Sequence, residues 1–269
     1  MSKSEASLPV VDGADDLAAR LRSASGLLLG LDFDGTLAPI VTDPDAATTS
    51  PAVREPLERL TAASDVRVVV CSGRALADLR ERVPVDDVVL VGNHGIELAR
   101  GGERRVAPAA ADGRDAVATA RDRLTETVER VPGARLEDKG ATLTVHVRAT
   151  PADRIPQIEA AVERTVDEVA GVGLVTGKEV FEVRPAVALD KGTAMTRLED
   201  DAPAGWTTVY VGDDTTDEDA FRAVQPDGVG VYVAGGNEDP NGDVQTAANY
   251  ALPGQEAVAP FLAWLATER

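Results

Sequence analysis

Four short apolar runs, each ending abruptly in polar or acidic residues, limit the folds open to this chain more than any other feature. Gly26-Leu-Leu-Leu-Gly-Leu-Asp32 ends on a carboxylate, and Val66-Arg-Val-Val-Val-Cys71 runs into Ser72-Gly73-Arg74. Val88-Val-Leu-Val91 leads to Gly92-Asn93-His94, and Thr207-Thr-Val-Tyr-Val211 to Gly212-Asp213-Asp214. Continuous apolar runs of this length read as strands buried on both faces, the habit of parallel sheets covered by helices. Helical patterns at 14–23, 51–63 and 75–82 alternate with them, which predicts a doubly wound α/β fold. In such a fold the polar ends gather at the carboxyl edge of the sheet, where ligands bind. Aromatic residues are only 3% of the chain, so Val, Leu, Ile and Ala must fill its core.

The middle of the chain changes character. A helical segment (112–130), an alternating strand Ala141–Arg148, a second helix (151–170) and strands near 172–175 and 179–184 suit a sheet with one open face. Because the buried-strand pattern resumes only afterwards, residues 104–185 are expected to form an inserted α+β cap. Residues 1–103 and 186–269 then form the core.

Charge narrows the partners. Acidic residues outnumber basic ones 46 to 27, and the net charge of −19 would repel nucleic acid and anionic lipid. Lysine occurs only at Lys3, Lys139, Lys178 and Lys191, and an acidic, lysine-poor surface suggests adaptation to concentrated salt, a halophilic trait. Cys71 is the sole cysteine, so neither an intrachain disulfide nor a thiolate metal site can form. No basic start followed by an apolar stretch opens the sequence, and nowhere do about twenty apolar residues run together. A cytoplasmic, monomeric protein is expected.

The chemistry concentrates at Asp32-Phe33-Asp34-Gly35-Thr36, two carboxylates two residues apart at a strand end. Strand periodicity would put both on one face. Such a pair can bind Mg²⁺, attack phosphorus and pass a proton to a leaving oxygen. With this pentapeptide the chain resembles the haloacid dehalogenase superfamily of phosphatases. That resemblance implies Asp32 as nucleophile and Asp34 as acid/base. It matches Ser72-Gly73-Arg74 to the loop whose hydroxyl and amide hold the phosphoryl group, and Lys191, in Leu189-Asp-Lys-Gly-Thr193, to the ammonium that neutralises nucleophile and phosphate. Gly212-Asp-Asp-Thr-Thr-Asp-Glu-Asp-Ala-Phe221 matches the acidic motif. Asp213, with Asp214 or Asp217, is expected to complete a magnesium shell with Asp32 and the Asp34 backbone carbonyl.

Within that superfamily, Asp32–Ile40, Gly92-Asn-His-Gly-Ile-Glu97 and the lysine and acidic motifs look like the trehalose-6-phosphate phosphatases. Glu137-Asp-Lys139, Val145-His-Val-Arg148 and Gly177–Pro185 resemble the cap segments by which those enzymes hold the disaccharide. The resemblance implies sugar contacts from Glu137, Lys139, His146, Arg148, Lys178, Glu182 and Arg184, with Arg74, Asn93 and His94 at the core side. It also implies a functional link to a trehalose-6-phosphate synthase, and a cap whose closure sets specificity. Thr215-Thr216 and Val147 depart from the family's usual basic and aromatic choices. Three rival readings remain at this stage: another sugar phosphate (sucrose 6-phosphate, a glucosyl or mannosyl phosphoglycerate, a hexose phosphate), a non-catalytic phosphosugar-binding domain, and a phosphomutase.

Overall fold

In the computed structural model, residues 14–41, 44–177, 179–235 and 246–269 are described. Along the chain, α1 (Ala14–Ser23), β1 (Gly26–Asp32), α2 (Pro51–Thr61), β2 (Val66–Cys71), α3 (Leu76–Arg82), β3 (Val89–Gly92), β4 (Glu97–Arg100) and β5 (Glu103–Val106) come first. They are followed by α4 (Pro108–Ala111), α5 (Arg114–Glu129), β6 (Arg135–Asp138), β7 (Leu143–His146), α6 (Ile155–Glu168), β8 (Val172–Gly177) and β9 (Val180–Pro185). Last come α7 (Lys191–Asp200), β10 (Trp206–Gly212), α8 (Glu218–Ala223), β11 (Val229–Val233), β12 (Tyr250–Leu252) and α9 (Val258–Glu268).

Two compact units divide the chain, residues 1–104 with 189–269, and residues 105–188. The described residues of the first unit build a sheet in the order β12-β11-β10-β1-β2-β3-β4-β5, parallel from β12 through β3, with β4 antiparallel to β3. Strand alternation sorts β1 between two layers. Leu27, Leu29 and Leu31 pack with Leu17 and Leu21 of α1, Leu57 and Leu60 of α2, and Phe261 and Leu265 of α9. Leu28 points the other way, into a cluster with Met195 and Leu198 of α7 and Phe221 of α8. Every residue of β1 is buried, as its unbroken apolar run demands. The result is the three-layered α/β architecture that the alternation of strand and helix predicts.

The second unit is a four-stranded antiparallel sheet, β6-β7-β9-β8. Leu143, Val145, Phe181 and Val183 cluster with Val117, Leu124 and Val128 of α5 and Ile158 and Val162 of α6. The strand expected over Ala141–Arg148 is shorter, because the Val147 carbonyl already closes a turn to the Thr150 amide at 2.9 Å. The helix expected from 151 begins at Ile155, with Pro156 in its first turn, where a missing amide hydrogen costs nothing.

Candidate active site

Asp32 is the last residue of β1, buried between β10 and β2 at the carboxyl edge of the sheet. Lys191 meets it from the first turn of α7, donating to Asp32 Oδ1 at 2.6 Å. Two interlocking bonds fix that turn. The Asp190 carboxylate accepts from the Thr193 amide at 2.7 Å, and the Thr193 hydroxyl accepts from the Asp190 amide at 2.9 Å. An ammonium at a helix N-terminus faces the wrong end of the dipole, so two carboxylates must outweigh it. The second is Asp217, whose Oδ1 lies 2.7 Å from Lys191 Nζ. Burial alone would push Lys191 down, but Asp217 and Asp32 raise it above the ordinary lysine range, so it stays cationic.

Asp213 follows β10 and accepts from the Thr36 hydroxyl at 3.2 Å. Gly35 makes this approach possible: its φ is +86°, and a Cβ there would lie 2.0 Å from Asp213 Oδ2. Asp217 is fully enclosed and accepts four bonds. Lys191 and the Tyr210 hydroxyl (2.7 Å) reach Oδ1, and the amides of Asp213 (3.1 Å) and Asp214 (3.0 Å) reach Oδ2. Asp214 turns elsewhere, since its carboxylate caps the short turn at 215–217 by accepting from the Thr215 amide at 2.6 Å.

The expectation that Asp34 shares a strand face with Asp32 is not met. Strand β1 stops at Asp32, and Asp34 sits in a turn closed by the Gly35 amide to the Ala38 carbonyl at 2.7 Å. There Arg74 binds both carboxylate oxygens, Nε to Oδ2 and Nη2 to Oδ1, each at 2.7 Å. The same guanidinium donates to Asp78 at 2.9 Å and lies over the Phe33 ring, 5.3 Å from its centroid.

Asn93 and His94 shape the loop Ser72–Arg74. Both are left-handed, with φ of 49° and 53°. The Asn93 amide donates to the Arg74 carbonyl at 2.8 Å, the His94 amide to the Ser72 carbonyl at 3.0 Å, and the His94 ring lies against Gly73. Ser72 Oγ accepts from the Arg74 amide at 3.1 Å. Beneath them Asn93 Nδ2 donates to buried Glu97 at 2.6 Å, and Arg104 pairs with the same carboxylate.

In the insert, cross-strand pairing puts Glu137, Thr144 and Glu182 in one row and Arg135, His146 and Val180 in the next, all on the face away from α5 and α6. His146 Nε2 and Glu137 Oε2 are 2.6 Å apart, a bond that holds Glu137 below its ordinary carboxylate value. Burial raises Glu182 despite the opposing charges of Lys139 and Arg184. Arg148 is drawn to Glu179, with Nε at 2.8 Å from its carboxylate. Lys178 lies outside the described residues.

The profile of the trehalose-phosphatase family matches residues 30–256. The chain belongs to the trehalose-phosphatase family. It is 40% identical over 242 residues to the trehalose-phosphate phosphatase of Mycobacterium marinum, covering 88% of this chain and 60% of that protein. Over 245 residues it is 39% identical to an uncharacterised glycosyl hydrolase of Mycobacterium tuberculosis, with 88% of this chain but 18% of that protein aligned. The chain thus spans less than two thirds of these curated relatives. Among solved structures, the C-terminal domain of the C. albicans trehalose-6-phosphate phosphatase superposes with a TM-score of 0.77 at 26% identity, covering 94% of this chain and 96% of that one.

The donor set at this strand end suits a divalent cation. Carboxylate oxygens of Asp32, Asp213 and Asp217 lie within 4.8 Å of one another, all buried. Three carboxylates face one ammonium. Burial, then the neighbouring Asp217, pushes Asp213 up to about 7, and burial raises Asp32 well above its ordinary value even against Lys191. Hard oxygen ligands and uncompensated negative charge are what a hard divalent cation takes. Since Asp217 already accepts four bonds, Asp32 and Asp213 are the carboxylates with room for an ion. Among the described residues no helix is long and apolar enough to cross a membrane.

Three participants escaped the sequence reasoning: Tyr210, Asp78 and Arg104. Tyr210 reads as one more apolar strand residue, and the other two as surface charge. Spacing could have flagged Asp78, four residues beyond Arg74 in the first turn of α3.

Proposed function

We propose that this chain hydrolyses trehalose 6-phosphate to trehalose and inorganic phosphate, the last step of trehalose formation. The observation that carries the reading is the meeting of Asp32 and Lys191 at 2.6 Å in a buried strand-end site of a trehalose-phosphatase chain. Asp32 Oδ attacks phosphorus in line, the bond from phosphorus to the sugar oxygen breaks, and Asp34 delivers a proton to that oxygen. A water then attacks the aspartyl phosphate, giving its proton to Asp34, and the bond between phosphorus and Asp32 breaks. Lys191 and the Ser72 hydroxyl, with the amide of Gly73, stabilise the equatorial oxygens.

Mg²⁺ would be held by Asp32, Asp213 and the Asp34 backbone carbonyl, where its charge would neutralise that of the transferring phosphoryl group. Asp214, committed to capping its own turn, is a weaker candidate ligand than the sequence suggested. We assign recognition of the sugar to Glu137, Lys139, His146, Glu182 and Arg184 on the insert's open face, since hydroxyl groups take paired carboxylates and cationic donors. Arg148 and Lys178 are proposed as further contributors, and Arg74, Asn93 and His94 as the groups that shape the phosphate loop.

Phosphate release from trehalose 6-phosphate, sucrose 6-phosphate and glucose 6-phosphate, measured with Mg²⁺ for the wild type and Asp32→Asn, tests the reading. Preference for trehalose 6-phosphate that vanishes in the variant supports it. Preference for another sugar retains the chemistry and overturns the substrate. Release that survives Asp32→Asn, or no release at all, overturns the mechanism.

A further inference from the structure

Tyr210 occupies the middle of β10, directly opposite Gly30 of β1, and none of it is exposed. A buried phenol needs a partner, and this one donates to Asp217 Oδ1 at 2.7 Å, the same oxygen that accepts from Lys191 at 2.7 Å. The surroundings are cut to fit it. A Cβ on Gly30 would sit 2.5 Å from the Tyr210 ring, and one on Gly212 would sit 2.3 Å from Asp217 Cγ, so glycine is required at both points. The Phe221 ring meets Tyr210 edge-on with centroids 5.8 Å apart, fixing the direction in which the hydroxyl points.

We infer that Tyr210 is a positioning residue for the reaction, acting through Asp217 on the Lys191 ammonium and so on Asp32. The inference rests on the proposed hydrolase reading and deepens it. Lys191 divides its donors between Asp217 and Asp32, at 2.7 and 2.6 Å. An unshared Asp217 Oδ1 would compete harder for that ammonium. The Tyr210 hydroxyl occupies part of this oxygen and leaves Lys191 extended toward the nucleophile, where charge develops. The two amides on Oδ2 hold the other end of the carboxylate still. In the proposed reaction substrate meets Lys191 and Asp32 but neither Tyr210 nor Asp217, so the effect of Tyr210 falls on turnover rather than on binding.

Tyr210→Phe removes the hydroxyl and keeps the ring. The expected result is a fall in kcat of roughly tenfold with KM within about twofold of the wild type. A second readout uses no substrate and no metal. With only four lysines in the chain, ¹³Cε-lysine labelling gives a spectrum in which Lys191 is assigned by its loss in Lys191→Arg. That resonance is expected to move in Tyr210→Phe while Lys3 and Lys139 stay in place. Phe221→Leu, which loosens the ring but keeps the hydroxyl, should shift kcat and the Lys191 resonance in the same sense, and it carries the test if Tyr210→Phe does not fold. Unchanged kcat together with an unmoved Lys191 resonance in the folded variants overturns the inference. A wild type inactive on every phosphosugar overturns the proposed function instead, and the Lys191 resonance still decides the question of positioning.

Discussion

Arg74 holds Asp34 with two parallel bonds, Nε to Oδ2 and Nη2 to Oδ1, both at 2.7 Å. The guanidinium is itself fastened by Asp78, and the Arg74 main-chain carbonyl accepts from the Asn93 amide. Lysine can supply the charge but not the planar two-pronged grip. Arg74→Lys should therefore fold normally yet lose roughly tenfold to a hundredfold in kcat, as the carboxylate proposed here as acid/base drifts from the position Arg74 gives it. Steady-state kinetics beside a melting curve check this, and wild-type turnover in the variant would refute it.

Removing the Lys191 ammonium leaves Asp32 and Asp217 facing each other with no cation between them. Lys191→Met should destabilise the metal-free protein by about 3–5 kcal/mol, the range for breaking a buried pair at one partner. Urea unfolding in the presence of chelator measures it. A loss below about 1 kcal/mol would mean that the ammonium is far less enclosed than its 3% exposure indicates.

Asp213 gives a pH signature. Its carboxyl is raised from 3.8 to about 7, first by burial and next by Asp217, so the fold holds its proton more tightly than the unfolded chain does. Stability from this group is complete below its unfolded value and is lost as the pH climbs through about 7. Without metal, the melting temperature of the wild type relative to Asp213→Asn should fall between about pH 4 and about pH 7 and level off above it. Mg²⁺ should restore the wild type by binding the folded state, and should do little for the variant. Thermal melts across that range with chelator or Mg²⁺ decide it. A pH-independent difference between the two proteins would remove Asp213 from the titration.

Salt should stabilise the protein. Screening weakens the surface ion pairs, each worth at most about 1 kcal/mol, but it also relieves the self-repulsion of a net charge of −19. With so large an excess of one sign, repulsion outweighs the pairs. The melting temperature is expected to rise as KCl goes from about 0.1 M to about 2 M, where the screening length falls below about 3 Å. A flat or falling curve would show that the acidic surface is not salt-adapted.

Much of the fold was legible because β1, β2, β3 and β10 are unbroken apolar runs ending in polar residues, a pattern that belongs to buried parallel strands. The strand β5, Glu103-Arg-Arg-Val106, and the three-residue β12 gave no such signal, because edge strands need neither apolar continuity nor length. The motif Asp32–Thr36 pointed to the chemistry, yet strand periodicity misjudged Asp34, since the strand gives way to a turn at the position where the periodicity was applied. Tyr210 stayed hidden for a different reason. Its hydroxyl matters only beside Asp217, and nothing in a single sequence shows that two residues seven apart will share a hydrogen bond across a strand and a turn.

Strand β1 pairs with β2, next along the chain, and with β10, which arrives only after the whole insert, so Asp32 and Lys191 meet across 159 positions. Contacts of that span form late, because loop closure must precede any gain from them. The insert, with its own core, can order earlier from nearer neighbours. Recovery of activity during refolding should then track the slowest kinetic phase, well after most helical signal has returned. For this chain, competence would serve as a clock that starts only when the segments on either side of the insert have found each other.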